Sequence, residues 1–190
     1  MSAEPDPSAT YQQVQLRVRL LIKTLSPPLV DVDEMLVAMR RIYSGADILV
    51  EEGPREDLRI AAHDGHAWED FRVGECRAGE VTDDQHALFQ HRGGAQWGDI
   101  VIYIVRTVIP PMNGCAASPA DLPGAIVSSR ASRFTLAHEV GHVLGLAHVG
   151  DSRNLMTNRG TATIKGEPEL TSKQIRTMHN SRFCIRRASS

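Results

Sequence analysis

The sequence predicts an α+β fold in which helices pack on a mixed β-sheet. One observation is the alternation of apolar and polar residues at 14–20, which is the period of a half-buried strand. A second is a nearly continuous, β-branched apolar run at 99–108, typical of a strand buried on both faces. The third is the helical spacing of apolar residues after Asp31 and after Thr82, which places helices between the strands.

Length and composition set the broad class of the protein. With 190 residues, 42% of them hydrophobic, the chain is long enough for one domain with its own core. The formal net charge is −2, so charge gives no argument for a nucleic-acid or membrane-surface partner. No apolar run is long enough to cross a bilayer, and we expect no membrane insertion. We expect a monomer.

The N-terminal segment 1–10 is polar and acidic and contains proline, so we expect a disordered tail followed by one domain at 11–190. The segment has neither the basic start nor the apolar stretch of a secretory signal. Three interpretations of the cellular location stay open. The protein stays in the cytoplasm, it leaves the cell by a non-classical route, or a signal has been removed from the chain.

The first part of the domain predicts strand, helix and strand. Asp31 and Glu34 resemble a capping box at the start of the first helix, and Gly45 ends that helix. The apolar residues at helical spacing, which we expect in the core, are Val32, Met35, Leu36, Met39, Ile42 and Tyr43. Residues 46–50 then predict a second strand.

Residues 53–80 are rich in charge, glycine and histidine, and they predict a loop anchored by Trp68 and Phe71. His63 and His66 directly flank the pair Asp64-Gly65, and a second metal site at these histidines stays open. Their spacing fits a solvated loop better.

Thr82 and Gln85 resemble a second capping box, which begins a short helix. Its expected buried residues are Leu88 and Phe89. Residues 112–132 predict a loop with one short strand at 125–128. Whether that strand lies at the edge of the sheet stays open.

The C-terminal part predicts one more helix. Thr171 and Gln174 resemble a third capping box, and Leu170 and Ile175 are placed as its hydrophobic staple. We expect residues 186–190 to be frayed.

Residues 135–157, TLAHEVGHVLGLAHVGDSRNLMT, contain the groups best suited to chemistry. His138 and His142 are four residues apart and therefore project from one face of a helix, for which Ser132 is a candidate N-cap. Two imidazoles in this arrangement are good zinc ligands. Glu139 lies close enough to reach a water at the metal without itself being a ligand.

A third histidine requires a reversal of the chain. Continued as a helix, His148 would lie about 15 Å along the axis from His138, too far to share one ion. Gly145 is the residue where the chain can turn back, because glycine adopts positive φ without a steric cost. Three histidines leave the fourth position of a tetrahedral site open, so the sequence predicts one catalytic Zn²⁺. Nothing in the sequence supports a second zinc or a structural Ca²⁺.

The spacing H-E-x-x-H-x-x-G-x-x-H, followed by NLMT at 154–157, resembles the zinc signature and Met-turn of the metzincin metallopeptidases. The resemblance implies that Met156 lies beneath the zinc as an apolar floor. It also implies a metzincin-like (zincin) fold with a mixed, twisted sheet and an active-site helix. The upper subdomain would cover about 11–145, and a small, irregular lower subdomain would cover about 146–190.

The resemblance is matrixin- and reprolysin-like, but it does not assign a family. The interval from His148 to Met156 is similar to that of matrixins. Val149, however, is neither the serine typical of matrixins nor the aspartate typical of reprolysins. Asn158 stands where astacins and serralysins have a tyrosine ligand.

The function implied by the resemblance is that of a zinc-dependent endopeptidase acting on protein or peptide substrates. Glu139 would act as general base towards the attacking water. Two alternatives stay open: a binding module that has lost activity, and a zinc hydrolase of a non-peptide amide. A cleft closed at one end would favour the amide hydrolase, and a groove beside an edge strand would favour peptide cleavage.

The three cysteines leave at least one thiol unpaired. Cys115 and Cys184 flank the zinc segment, and reprolysins have a disulfide in a similar place, so the resemblance supports a Cys115–Cys184 bridge. The missing signal supports free thiols instead. In matrixins a propeptide cysteine caps the zinc, but Cys76 lies inside the domain, which argues against that role.

Overall fold

The centre of the fold is a β-sheet with helices on both of its faces. The computed structural model describes residues 14–60, 70–77 and 79–188. The strands are β1 (Val14–Thr24), β2 (Ile48–Asp57), β3 (Asp70–Arg72), β4 (Ile100–Val105), β5 (Thr107–Ile109), β6 (Gly114–Cys115), β7 (Gly124–Ser128) and β8 (Ile185–Ala188). The helices are α1 (Val32–Ser44), α2 (Asp83–Phe89), α3 (Thr135–Val143) and α4 (Ser172–His179), with a 3₁₀ turn at Thr161–Thr163.

The main sheet is mixed, as the sequence predicts, and mostly parallel. Its strand order is β2-β1-β4-β7-β6, and β8 also pairs with β1. The first four strands in that order are mutually parallel, whereas β6 runs antiparallel to β7 and β8 antiparallel to β1. A separate two-stranded parallel sheet joins β3 to β5.

Alternate side chains of the central strands enter two different cores. On one face Leu20, Ile22 and Ile102 pack with α1 and α3, and on the other face Leu21 and Val101 pack with residues of α2. All six residues of β4 are buried. The absence of polar alternation at 99–105 therefore has the predicted cause, which is burial on both faces of the sheet.

The helix starts predicted at Asp31, Thr82 and Thr171 are confirmed, although of the three predicted capping boxes only those at Thr82 and Thr171 are complete. Asp31 is the N-cap of α1, where its carboxylate accepts the backbone N–H of Asp33 at 2.8 Å. Full capping boxes begin the other two helices, with Thr82 and Gln85 at α2 and Thr171 and Gln174 at α4.

The single strand predicted at 99–108 is two strands in different sheets. The chain leaves the main sheet at Arg106, whose guanidinium binds both carboxylate oxygens of Asp70, at 3.1 and 2.5 Å. The Arg106 carbonyl accepts the hydroxyl of Ser129 at 2.9 Å. These polar contacts redirect an otherwise uninterrupted apolar segment, so β5 pairs with β3 instead of extending β4.

The short strand predicted at 125–128 corresponds to β7, and it lies inside the sheet between β4 and β6. Among the described residues β6 is the last strand on that side. It has only two residues, Gly114 and Cys115, which is too short for hydrophobic periodicity to reveal.

The expectation that 186–190 is frayed is wrong for the residues described there. Residues 185–188 form β8 and pair with residues 14–17 of β1. β4 pairs only with residues 20–24, so the start of β1 has unused backbone groups on that side, and β8 satisfies them. The side chain of Ile185 packs closely over Gly98.

The proposed Cys115–Cys184 bridge is also wrong. The disulfide joins Cys76 to Cys115, with an S–S distance of 2.05 Å and Cα atoms 5.7 Å apart, and Cys184 is a buried free thiol. The physical reason is the position of the sheet. Cys76 and Cys115 belong to the core on the α2 face, whereas Cys184 belongs to the core on the α1 and α3 face. Because Cys76 is part of this disulfide, it has no free thiol with which to cap a metal.

Some expectations stay untested. The tail at 1–10 and the segment 61–69, with Trp68, His63 and His66, lie outside the described residues. The boundary between subdomains at about 145 stays a prediction. None of the helices in the described ranges combines the length and the apolar character needed to cross a membrane.

We expect alkylation to distinguish the two pairings. Burial raises the pKa of the Cys184 thiol to about 11, so the folded protein should react slowly with iodoacetamide. Denaturation without reductant should expose one reactive thiol, and peptide mass mapping should place the label on Cys184. A label on Cys76, with Cys115 and Cys184 recovered as a linked peptide, would contradict the structure.

Candidate metal centre

The histidine-bearing helix α3 packs against the sheet and against α1, and its residues Thr135 to Gly141 are buried. Its backbone is anchored from outside by the Tyr43 hydroxyl, which donates to the Ala137 carbonyl at 2.9 Å. The predicted N-cap Ser132 is wrong, since Phe134 occupies that position without a side-chain bond. Ser132 lies two residues earlier, where its hydroxyl donates to Thr161 at 2.9 Å.

The chain reverses after α3 at Gly145, as the sequence predicts. Gly145 has φ +96°, a value that side-chain-bearing residues rarely adopt. Its N–H donates to the His142 carbonyl, and the Leu146 N–H donates to the Gly141 carbonyl, both at 2.9 Å. These two bonds form a Schellman motif, so the helix ends and the chain returns towards its own last turn.

Backbone bonds to the segment after it hold the returning chain in place. The Val149 N–H donates to the Met156 carbonyl at 2.8 Å, and the Asn158 N–H donates to the Val149 carbonyl at 3.0 Å. His148 is adjacent to this clamp, so its backbone position is fixed relative to residues 156–158.

The three predicted ligands converge. The Nε2 atom of His142 is 3.1 Å from that of His138 and 3.1 Å from that of His148, and the remaining Nε2 pair is 3.2 Å apart. In the described part of the chain this is the one group of three or more histidine, cysteine or acidic side chains that could hold a metal ion. Nitrogens bound to one tetrahedral zinc at about 2.0–2.1 Å lie about 3.3 Å apart, so the cluster fits that ion.

The outer nitrogens of two rings fix the direction of the inner ones. His138 Nδ1–H donates to the Leu155 carbonyl and His142 Nδ1–H donates to the Leu146 carbonyl, each at 2.7 Å. A carbonyl only accepts, so each Nδ1 carries the proton and each Nε2 presents a lone pair to the centre. Backbone carbonyls of this kind are the usual outer partners of metal-binding histidines.

Burial keeps the three imidazoles neutral. Desolvation lowers the pKa of His138, with the neighbouring His148 lowering it further and the bond to Leu155 opposing the shift. Desolvation, with His138 next, lowers the pKa of His142 from its ordinary value of 6.5 to about 4. Desolvation also lowers the pKa of His148. Neutral imidazoles are the form that binds a metal.

Glu139 is 6% exposed, and burial raises the pKa of its carboxyl to about 8. Its side chain lies against Gly114 of β6. A Cβ atom at position 114 would come within 2.6 Å of the Cγ and Oε1 atoms of Glu139. Glycine at this position therefore leaves the room that the carboxyl occupies.

Met156 is fully buried beside the same helix. A Cβ atom at Gly141 would come within 2.8 Å of its sulfur. The turn around Met156 is held by Asn154, whose side-chain oxygen accepts the Met156 N–H at 2.9 Å. This turn presents the Leu155 carbonyl to His138.

A cavity of about 850 Å³ adjoins these groups. One part of its lining is formed by residues 111–114 with Ala116 and Ala117, which we call the β6 wall, and another part by Thr157, Asn158, Gly160 and Thr161. The three histidines and Glu139 also line it. Sequence reasoning missed Gly114 and Thr161, because no local spacing links either of them to the histidine helix.

Comparison with solved structures shows proteins of similar fold. The fold is similar to metalloproteinase-II from Bacteroides fragilis (TM-score 0.57, 18% identity), covering 90% of this chain and 54% of that protein, about half its length. It is similar to archaemetzincin from Methanopyrus kandleri (TM-score 0.55, 17% identity), covering 86% of this chain and 94% of that protein. It is also similar to a zinc-dependent peptidase from Methanocorpusculum labreanum (TM-score 0.50, 13% identity), covering 85% of this chain and 100% of that protein.

The fold resembles that of solved metallopeptidases. At these identities the likeness concerns the fold alone. No protein-family model matches the sequence, and no curated protein sequence matches it. The mixed sheet with helices is confirmed by both the structure and these neighbours. The histidine cluster itself has the ligands and the spacing for a metal ion.

We expect His142 of the metal-free protein to titrate near pH 4. Its folded-state pKa lies below its ordinary value of 6.5, so its contribution to stability is complete above pH 6.5 and is lost as the pH falls through about 4. NMR titration measures the midpoint directly. Between pH 7 and pH 4, the free energy of unfolding should fall further for wild type than for His142→Gln. A midpoint near 6.5 would contradict the burial of this ring.

Proposed function

We propose that the chain is a zinc-dependent endopeptidase of the metzincin type, with His138, His142 and His148 as ligands and Glu139 as general base. The observation that carries the proposal is the convergence of three Nε2 atoms at 3.1–3.2 Å beside a buried carboxyl in one cavity. The zinc-peptidase fold of the neighbours supports the reaction class. They offer no support for a specific matrixin or reprolysin assignment.

The roles follow from the chemistry of each group. A bound zinc ion supplies a Lewis acid that polarises a carbonyl and lowers the pKa of water. Glu139 accepts a proton from the attacking water and passes it to the departing amine. Burial alone raises the pKa of this carboxyl to about 8, and a bound cation nearby would favour the ionised form that accepts a proton. Gly145 turns the third ligand into place, and Met156 packs under the ligand helix.

The edge strand supports a peptide as substrate. β6 runs antiparallel to β7 and is the last strand on its side of the described sheet. Its residue Gly114 and the flanking Asn113 and Ala116 line the cavity. An extended peptide can add to such an edge through main-chain hydrogen bonds, a mode that grips many sequences. A groove along an edge strand therefore favours a peptide substrate over a non-peptide amide.

We expect Glu139→Ala and the isosteric Glu139→Gln to lose peptide cleavage by about a hundred- to ten-thousandfold while retaining zinc. The carboxyl moves the proton but does not bind the metal. Cleavage of a peptide library by the zinc-loaded wild type, with Glu139→Gln as blank, measures activity and specificity together. His148→Ala should instead lose zinc on dialysis. Near wild-type cleavage by Glu139→Gln would refute the assignment of the base.

A zinc-loaded wild type that binds peptides without cleaving them would identify the inactive binding module. Cleavage of simple amides but of no library peptide would identify the amide hydrolase.

We expect Gly114→Ala to lower kcat by roughly a hundredfold, since the new methyl group would overlap the Glu139 side chain and displace its carboxyl. Zinc content should not change. Gly93→Ala is the matched control, because a Cβ there meets only the Lys23 Nζ atom at 3.9 Å. Equal turnover in Gly114→Ala and Gly93→Ala would show that Glu139 acts from another position.

A further inference from the structure

Two buried amide side chains, Asn154 and Gln174, bond to each other next to the metal centre. Asn154 Nδ2 donates to Gln174 Oε1 at 2.9 Å, and Gln174 Nε2 donates to Asn154 Oδ1 at 2.9 Å. Asn154 is 3% exposed and Gln174 is 8% exposed. Buried amides that exchange both bonds hold their backbones in one relative position, because breaking the pair leaves two polar groups unsatisfied.

Helix α4 fixes the orientation of this pair. Gln174 Oε1 also accepts the backbone N–H of Thr171 at 2.8 Å, within the capping box that begins α4. Turning the Gln174 amide over would point its NH₂ group at that N–H. The capping bond therefore determines which end of Gln174 faces each atom of Asn154.

The pair continues to the ligand His138. Asn154 Oδ1 accepts the Met156 N–H at 2.9 Å, which shapes the turn that contains Leu155. The Leu155 carbonyl accepts the His138 Nδ1–H at 2.7 Å. The Leu155 N–H is held on the other side by the Glu169 carbonyl at 3.0 Å. A continuous series of hydrogen bonds and short backbone segments thus connects the first turn of α4 to the imidazole of one proposed ligand.

We propose that Asn154 and Gln174 are positioning residues for the metal centre. Their amide pair sets the place of the Leu155 carbonyl, and that carbonyl sets the tautomer and direction of the His138 ring. The inference rests on the proposed zinc site, which it deepens by assigning residues that neither bind the metal nor line the cavity.

The chain contains a matched control in α2. Gln85 occupies the same position in a capping box of the same type, with Oε1 accepting the Thr82 N–H at 2.9 Å. It is fully buried, and its Nε2 donates to the Ala117 carbonyl at 2.8 Å. Glutamate at position 85 or 174 keeps the capping acceptor and loses a buried NH₂ donor, which at Gln85 also contacts the Cys115 sulfur at 3.6 Å. Only the donor of Gln174 leads to a proposed ligand.

The experiment compares Gln174→Glu, Gln85→Glu and wild type by three measurements. Zinc affinity is measured by competition with a chromophoric chelator. Unfolding of the zinc-free protein gives the change in stability. The imidazole Nδ1–H of His138 is followed by NMR in the zinc-free protein, where its exchange with solvent reports the bond to Leu155. Asn154→Asp, which keeps the acceptor for Met156 and loses the donor to Gln174, carries the test if Gln174→Glu does not fold.

We expect Gln174→Glu and Asn154→Asp to bind zinc about tenfold more weakly than wild type, the lower end of the effect of outer partners of metal ligands. The His138 Nδ1–H should exchange faster in both variants. Gln85→Glu should lose comparable stability with zinc affinity and His138 exchange unchanged. The proposal would be overturned if Asn154→Asp and Gln174→Glu bound zinc within about twofold of the affinity of Gln85→Glu and left the His138 exchange rate unchanged.

Failure of the proposed function gives a different result. A wild type without peptidase activity, or without zinc affinity, would refute that function. The NMR comparison in zinc-free protein would still show whether the amide pair positions His138.

Discussion

The metal centre depends on two bonds from imidazole N–H groups to backbone carbonyls. His138 and His142 each place Nδ1 at 2.7 Å from a carbonyl, of Leu155 and Leu146 respectively, and those bonds direct both Nε2 lone pairs inward. Both carbonyls belong to the chain after α3, not to α3 itself. The helix therefore supplies the rings, and the segment that follows supplies their orientation. Without the reversal at Gly145, neither the third histidine nor the orienting carbonyls would reach the helix.

The sheet divides the molecule into two cores with different relations to the cavity. The core that contains α1, α3 and α4 residues surrounds the histidine helix. The core on the other face contains Cys115, Gln85 and neighbours of the β6 wall, so it supports the side on which we propose that the substrate lies. The candidate metal site and the proposed substrate side thus rest on separate sets of buried contacts that meet at Glu139 and Gly114.

Local geometry made much of the site predictable from sequence. The spacing of His138 and His142 depends only on helix geometry, and a positive-φ glycine at 145 depends only on the need to reverse. Non-local facts were not predictable. The partner of Cys115 depends on which face of the sheet each cysteine occupies, and β8 forms because the start of β1 has unused backbone groups. Gly114 contacts Glu139 only because the two-residue strand β6 lies beside α3.

The Cys76–Cys115 bridge spans a sequence separation of 39 and closes a covalent ring that contains α2, β4, β5 and β6. A single proteolytic cut inside that ring leaves both fragments linked until the bridge is reduced. A cut between β5 and β6 would leave β4 in the fragment without the histidines, and the bridge would still hold that fragment to the histidine-bearing half.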